Sequence, residues 1–346
     1  MRKHVFQPHT LHRKGIDSLA IWQSGFSLLW IIFAWILIAE IVARTPLGYL
    51  LPPPSVGADS FEFDIKVYYL EQSIRQRGEL DCLIVGDSMT NDGPDPVLVE
   101  KAYQAAIGSP LHCFNFGMPA LMLDASGPLT TALNQRFHPK LLIFILSPRN
   151  FTPAFGAPFH HVAFSEWSQQ NLGDTSLRGW AVNSVYGYRY ALFFEYWLIP
   201  SNRKSFSNAW HDITHQGFTP LYGHGESPEI SGSGETFQAT DPAAIAGFEQ
   251  ILKLRQSDVN LLIIDAPIRP DYYEAYRKKF FRPYIETMQS TFDTLAIPFW
   301  LTQDLSERIP PEGWYDLQHV NIEGTQTMST WLGEKLAENY PAEFFK

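Results

Sequence analysis

The chain has 346 residues, 45% hydrophobic and 18% charged, with a formal net charge of −10 and 2 cysteines. This is the composition of a globular protein. With 26 basic against 36 acidic residues and no basic run beyond the N-terminal tail, nucleic acid is not an expected partner.

Taken in order, the chain opens with a basic tail, residues 1–18, carrying Arg2, Lys3, Arg13 and Lys14. An apolar run at 19–43 follows, densest from Phe26 to Ala39. About 20 such residues span a bilayer core. The run is too long for a signal-peptide apolar region, and Glu40 and Arg44 replace a small-residue cleavage site. A retained transmembrane helix is expected, with the N-terminus cytoplasmic because Lys and Arg precede the run and only Arg44 closely follows it. That places the remainder outside a plasma membrane. Residues 44–60, with Pro46 and Leu51-Pro52-Pro53-Pro54, read as a stiff exposed linker.

Residues 61–346 read as one catalytic domain. Lys66 to Gln76 is expected to be helical. Asp81 to Val85 is an apolar strand that stops at Gly86, and Ser88 follows on the strand-to-helix turn. Asn91 to Pro96 reads as a loop, with Asp95 capping a helix from Pro96 to Ala106. Further strands are expected at Leu111–Gly117, Leu141–Leu146, Val259–Asp265 and Pro298–Leu301. Helices are expected at Leu129–Phe137, Pro242–Gln256 and Asp271–Leu295, and a last one at Ile322–Ala337 capped by Asn321. Unalternating apolar strands that alternate with helices argue for a parallel sheet buried on both faces. Open sheets of this kind build sites at the carboxyl ends of their strands.

Between the third and fourth strands, residues 152–240 have no such rhythm. They are rich in aromatics, among them Trp167, Trp180, Tyr190 and Trp197, with one helix expected at Tyr188–Ile199. Ser227 to Thr236 reads as a flexible loop. An insertion there would lie over the carboxyl ends of the sheet as a substrate cap or a docking surface. Aromatic side chains are 14% of the chain. They suit stacking on sugars, but core packing and membrane belts account for them equally. Cys82 and Cys113 each fall in a strand. Reduced core thiols are the expectation, with a disulfide open if the strands are neighbours in an oxidising compartment. His160, His161, His211 and His215 lack metal-site spacing and read as structural or surface residues. No metal or organic cofactor is implied.

The chemistry rests on two separated stretches. A serine nucleophile needs a base, and the base an orienting carboxylate. Ser88 follows the first strand. Asp316 and His319 lie three residues apart on a turn near the C-terminus, close enough to interact locally. Asp87 reads as structural at its turn.

Gly86-Asp87-Ser88 early and Asp316-Leu317-Gln318-His319 before a terminal helix resemble the SGNH, or GDSL-type, hydrolase superfamily. The resemblance covers roughly residues 60–340, with an unmatched middle. It implies a three-layer α/β/α sandwich, flavodoxin-like, with a mainly parallel sheet, and it implies Ser88, Asp316 and His319 as a catalytic triad. The α/β-hydrolase elbow does not fit, because Thr90 stands where its second glycine belongs. The resemblance also implies an oxyanion hole from the serine amide, a glycine after the second strand and an asparagine after the third. Here the chain departs. Counting from Asn115, the glycine position falls on Ala120, which keeps its N–H, while Gly117 is either a donor or a turn glycine. Ser147-Pro148-Arg149-Asn150-Phe151 replaces the usual third block, leaving Arg149 or Asn150 as donor.

With its N-terminal anchor, the chain is also similar to membrane-anchored extracytoplasmic SGNH proteins that assist O-acylation of cell-surface polymers. The D-alanyl transfer protein of teichoic-acid modification and the alginate acetylation proteins are examples. That implies acyl, acetyl-type, transfer to or from a glycan, beside a multispanning membrane O-acyltransferase. Two alternatives stand beside it: an esterase or lipase that uses water, and a degenerate domain that binds glycan as a scaffold.

Overall fold

The computed structural model describes residues 18–152, 159–225, 241–256 and 259–346, with side chains from Ser27 onward. The basic tail and the Ser/Gly-rich patch at 227–236 lie outside the described residues.

In chain order the helices are α1 (Ser18–Ala43) and α2 (Phe61–Arg77), then α3 (Ser88–Asn91), α4 (Pro96–Ile107) and α5 (Leu123–Phe137). The segment after the third strand adds α6 (Glu166–Asn171), α7 (Leu177–Ser184), α8 (Tyr186–Trp197) and α9 (Pro200–Asp212). Then come α10 (Pro242–Lys253), α11 (Pro270–Tyr276), α12 (Arg282–Leu295), α13 (Gln303–Arg308) and α14 (Ile322–Asn339). The strands are β1 (Cys82–Gly86), β2 (Cys113–Gly117), β3 (Leu141–Leu146), β4 (Asn260–Asp265) and β5 (Phe299–Trp300). They form one 5-stranded sheet in the order β2-β1-β3-β4-β5, and every pairing is parallel.

Alternate strand residues feed two cores. Leu83, Val85, Phe114, Phe116, Leu142, Phe144, Leu261 and Ile263 pack on the face covered by α2, α5, α10 and α12. Ile84, Ile143, Ile145, Leu262 and Ile264 pack on the face covered by α4 and α14. A sheet buried on both faces has no polar side to alternate with, which is why its strands read as unbroken apolar runs. The result is an α/β fold consistent with three layers.

Two sequence expectations need correction. Residues 51–56 are not an exposed linker: Pro53, Pro54, Ser55 and Val56 are buried. The Val56 amide donates to Asp64 Oδ1 at 2.8 Å, and Tyr68 Oη donates to the Gly48 carbonyl at 2.5 Å. Prolines here lay the chain down along α2. The cysteines are not reduced thiols but the disulfide Cys82–Cys113. They are register partners on β1 and β2 with Cα atoms 4.6 Å apart, a spacing that suits the bond. α1 occupies the run expected to cross a membrane; among the described residues no helix is long and apolar enough to cross one.

Candidate active site

β1 ends at Gly86, whose φ of +154° and crowded surroundings admit no side chain: a Cβ there would sit 2.1 Å from Thr90 Oγ1. The chain then turns into the short α3, just ahead of the loop expected from Asn91. Asp87 is its cap, with Oδ1 accepting from the Met89 amide at 2.9 Å. This leaves Ser88 as the first helical residue, half-buried at the carboxyl edge of the sheet. Asn150, in the turn after β3, holds Asp87, donating Nδ2–H to Asp87 Oδ2 at 2.7 Å while its Oδ1 accepts from the Ser147 amide at 2.7 Å.

The second half arrives on a closed turn. Trp314 and Val320 form an antiparallel bridge, and the Tyr315 amide donates to the His319 carbonyl at 2.8 Å. Asp316 Oδ1 accepts from the amides of Gln318 and His319, both at 2.8 Å. Asp316 Oδ2 lies 2.8 Å from His319 Nδ1, and His319 Nε2 lies 2.8 Å from Ser88 Oγ. An ionised carboxylate only accepts, so Nδ1 carries the proton and Nε2 is left to accept from the serine.

The charges are consistent with that assignment. Burial pushes Asp316 up, but the His319 hydrogen bond and charge and the two turn amides outweigh it and hold the carboxyl near about 2. Burial pulls the His319 imidazole down, but the hydrogen bond and charge of Asp316, with Asp92 and Asp87, raise it net above its ordinary value. Asp87 is itself raised, chiefly by burial. A hydroxyl, a neutral imidazole and a carboxylate in this order can move the hydroxyl proton to Nε2 as the oxygen attacks an electrophile.

The expected oxyanion donors separate. The Ser88 amide is the first of α3, which by helix geometry has no intrahelical acceptor. Ala120 has φ +53°, a left-handed conformation that favours glycine, and its N–H has no acceptor among the described residues. The Gly117 N–H is occupied by Asn115 Oδ1 at 2.8 Å, and its carbonyl by Lys66 Nζ at 2.7 Å. Asn150 is committed to Asp87, and Arg149 is exposed.

Several residues of the setting carry no sequence signal. Lys66, fully buried on α2, donates to Asn91 Oδ1 at 2.6 Å as well as to Gly117. Burial pushes its ammonium down, against the charges of Glu62 and Asp92. Asn115 Nδ2 ties down the Thr90 and Pro94 carbonyls at 2.7 and 2.8 Å. Asp92, raised to about 6 by burial against the His319 charge, accepts from Asn91 Nδ2 at 2.5 Å. A strap at 214–225 reaches both halves: the Thr219 amide donates to the Asn91 carbonyl at 3.1 Å and the Gly225 amide to that of Tyr315 at 2.8 Å. A lysine on an amphipathic helix reads as solvated, and only the fold reveals it beneath the serine.

Among the described residues no group of His, Cys, Asp and Glu is placed to hold a metal ion. His160 Nε2 lies 2.8 Å from Asp124 Oδ2, and His211 is solvent-facing. No protein-family model matches the chain, and no curated protein matches it.

Proposed function

We propose that this chain is a membrane-anchored, outward-facing serine acyl-transfer enzyme of the SGNH type, acting on an ester and a cell-surface glycan through an acyl-serine intermediate. The observation that carries it is the Ser88–His319–Asp316 relay, both links 2.8 Å, at the carboxyl edge of a parallel sheet. Ser88 Oγ attacks the ester carbonyl as its proton passes to His319 Nε2. Asp316 holds the imidazole and stabilises the imidazolium. The amides of Ser88 and Ala120 receive the developing oxyanion. His319 then gives its proton to the departing alcohol, leaving Ser88 acylated. An acceptor hydroxyl, deprotonated by His319 in its turn, attacks the acyl group and frees the serine. The 214–225 strap and the insertion behind it would favour a bound acceptor over water.

The anchor rests on the apolar sequence of 19–43 and on the exposure of Leu28, Leu29, Trp30, Phe33, Trp35 and Ile41. α8 packs along α1, and the insertion exposes Leu177, Trp180, Phe194 and Leu198, an apolar surface suited to the bilayer or to a multispanning O-acyltransferase. The Cys82–Cys113 disulfide favours an oxidising compartment.

The test is covalent. The full chain in detergent, treated with a serine-directed phosphonate, should gain one adduct at Ser88; Ser88→Ala should abolish it and His319→Ala should slow it by several orders of magnitude. A folded but unreactive wild type would overturn the enzyme in favour of a scaffold. Given an activated acyl ester, rapid hydrolysis indifferent to added glycan would make it an esterase.

A further inference from the structure

α8 meets α1 at one end and then runs on uncovered. Gly187, near its start, packs so closely on α1 that a Cβ there would sit 2.9 Å from Ile36 Cγ2. The Gly187 amide donates to Glu40 Oε1 at 2.8 Å, and Arg44 donates to the Ser184 carbonyl, at the end of α7, at 2.9 Å. The Ala43 carbonyl, at the end of α1, accepts from Gln72 and Arg75 of α2 at 2.9 and 3.2 Å. The buried Pro53, Pro54, Ser55 and Val56 leave no slack between α1 and α2. α1 is therefore fixed to the folded domain and is not a free tether.

Helical spacing decides what faces the same way as Gly187. Ala191, Phe194 and Leu198 follow it at steps of four, three and four residues, which stacks them in one stripe. All three are exposed, Phe194 by 58% and Leu198 by 74%. Tyr186, Tyr190 and Phe193, about a quarter turn away, are buried in the core. Glu195, the only acid of α8, falls off the stripe. Beyond Leu198 come the exposed Ile199 and Lys204, with Arg203 between them donating to the Trp197 carbonyl at 2.7 Å. α7 exposes Leu177 and Trp180, three residues apart and so on one side of that helix.

A row of large apolar side chains is costly to leave in water. Its occupant follows from α1. Ile36, the residue Gly187 touches, lies about two turns before Ala43, or about 10 Å along the axis. It is inside the apolar run, so the stripe begins at the depth where that run is still apolar. A helix held there rests at the boundary of headgroups and acyl chains, about 5–10 Å deep. An apolar stripe flanked by a tryptophan and by basic residues is the pattern suited to that boundary, with the cations at the phosphates. We propose that α8 is an interfacial helix, with Phe194 and Leu198 set into the outer leaflet of the bilayer that α1 spans and Arg203 and Lys204 at its headgroups. The proposal rests on the reading of α1 as a membrane anchor. It makes the lipid surface a partner of the insertion and holds the carboxyl edge of the sheet at a fixed height above the membrane.

The experiment puts one thiol at a time into the full chain, whose two native cysteines are bonded to each other, and labels it with the polarity-sensitive fluorophore NBD. Leu198→Cys reads the stripe and Ile31→Cys reads α1. Glu338→Cys reads α14, on the opposite face of the sheet. Each chain is reconstituted in vesicles of phosphatidylcholine and phosphatidylglycerol, with and without lipid carrying a nitroxide on its acyl chain. Emission at 198 should be blue-shifted and quenched to within about twofold of that at 31, while 338 stays water-like and unquenched. Phe194→Asp, which puts a charge into the stripe, should abolish the quenching at 198. Quenching at 31 but not at 198 overturns the proposal and leaves the anchor; quenching at neither removes both. Quenching at 198 without 31 keeps the stripe on the lipid and removes the anchor. A blue shift at 198 that lipid nitroxide does not quench would overturn the proposal in favour of a protein contact, such as a second copy of the chain. Quenching that survives Phe194→Asp would also overturn it.

Discussion

Glu71→Gln should unfold this protein more readily than any exposed charge change. Glu71 on α2 is buried and grips Arg189 on α8, itself 1% exposed, through bonds of 2.6 and 3.0 Å. Tyr186 Oη donates to the same carboxylate at 2.7 Å, and Arg136 lies 3.5 Å away. Burial would push the Glu71 carboxyl up, but these cations and donors outweigh it and hold the pKa at about 2, from 4.5. That depression corresponds to about 3 kcal/mol. Removing one partner of a buried ion pair independently predicts about 3–5 kcal/mol, because the Arg189 charge is left unpaired. A folded pKa below the unfolded one gives stability that is present above pH 4.5 and is lost as pH falls through about 2. The gap between wild type and Glu71→Gln should therefore be full at pH 7 and close on acidification. Urea unfolding followed by tryptophan fluorescence at pH 7 and pH 3 measures both. A loss under about 1 kcal/mol at pH 7, or a gap indifferent to pH, would refute the claim that this pair clamps the insertion to the core.

Two further predictions follow. Asp316→Asn should cut the rate of Ser88 modification about 10³–10⁴-fold. It should also lower the pH limb that, in the wild type, lies above 6.5 because His319 must be neutral to act; a limb unmoved by the substitution would contradict the coupling. By the same shift, the interactions of His319 stabilise the fold below its unfolded pKa, and that contribution fades as pH rises through the folded value. Cys113→Ser should cost about 3–4 kcal/mol, the loop-closure entropy of a link across 31 residues. Maleimide labelling of the unreduced full chain should find no free thiol, and prompt labelling at Cys82 or Cys113 would refute the bond.

The strands were legible because a parallel sheet buried on both faces leaves no polar positions to confuse the pattern. β3 falls at Leu141–Leu146, the span that the apolar run marks. Helix starts were less legible. The sequence suggests Leu129 for α5, after the breakers Gly127 and Pro128, but the helix begins at Leu123 and contains them. Gly127 is there for packing: a Cβ on it would meet the Gly247 carbonyl of α10 at 2.3 Å. The Ser88, Asp316 and His319 side chains carried a motif signal because their spacing is local to two turns. The partners around them carried none, because each acts across the fold. Lys66 meets Gly117 across 51 residues, and Glu71 meets Arg189 across 118. Asp265 ends a strand in the sequence, and only its burial in the fold raises its carboxyl.

Burial also bears on the proposed proton transfer, which must run in both directions. A base that receives the serine proton must later release it, so its pKa should lie near the working pH. His319 is pulled down by burial and pushed up by Asp316, Asp92 and Asp87. Two of those three acids are themselves raised by burial, Asp92 to about 6. Their charges are therefore strongest when His319 is neutral and fade as the site acidifies, which limits how far the imidazole can be raised. Lys66 fixes the geometry of this arrangement from below, since Asn91 accepts from it while donating to Asp92. Titration of Ser88 reactivity should therefore report the cluster rather than His319 alone. The buried lysine, which the sequence gives no reason to notice, holds the Asn91 amide that donates to Asp92.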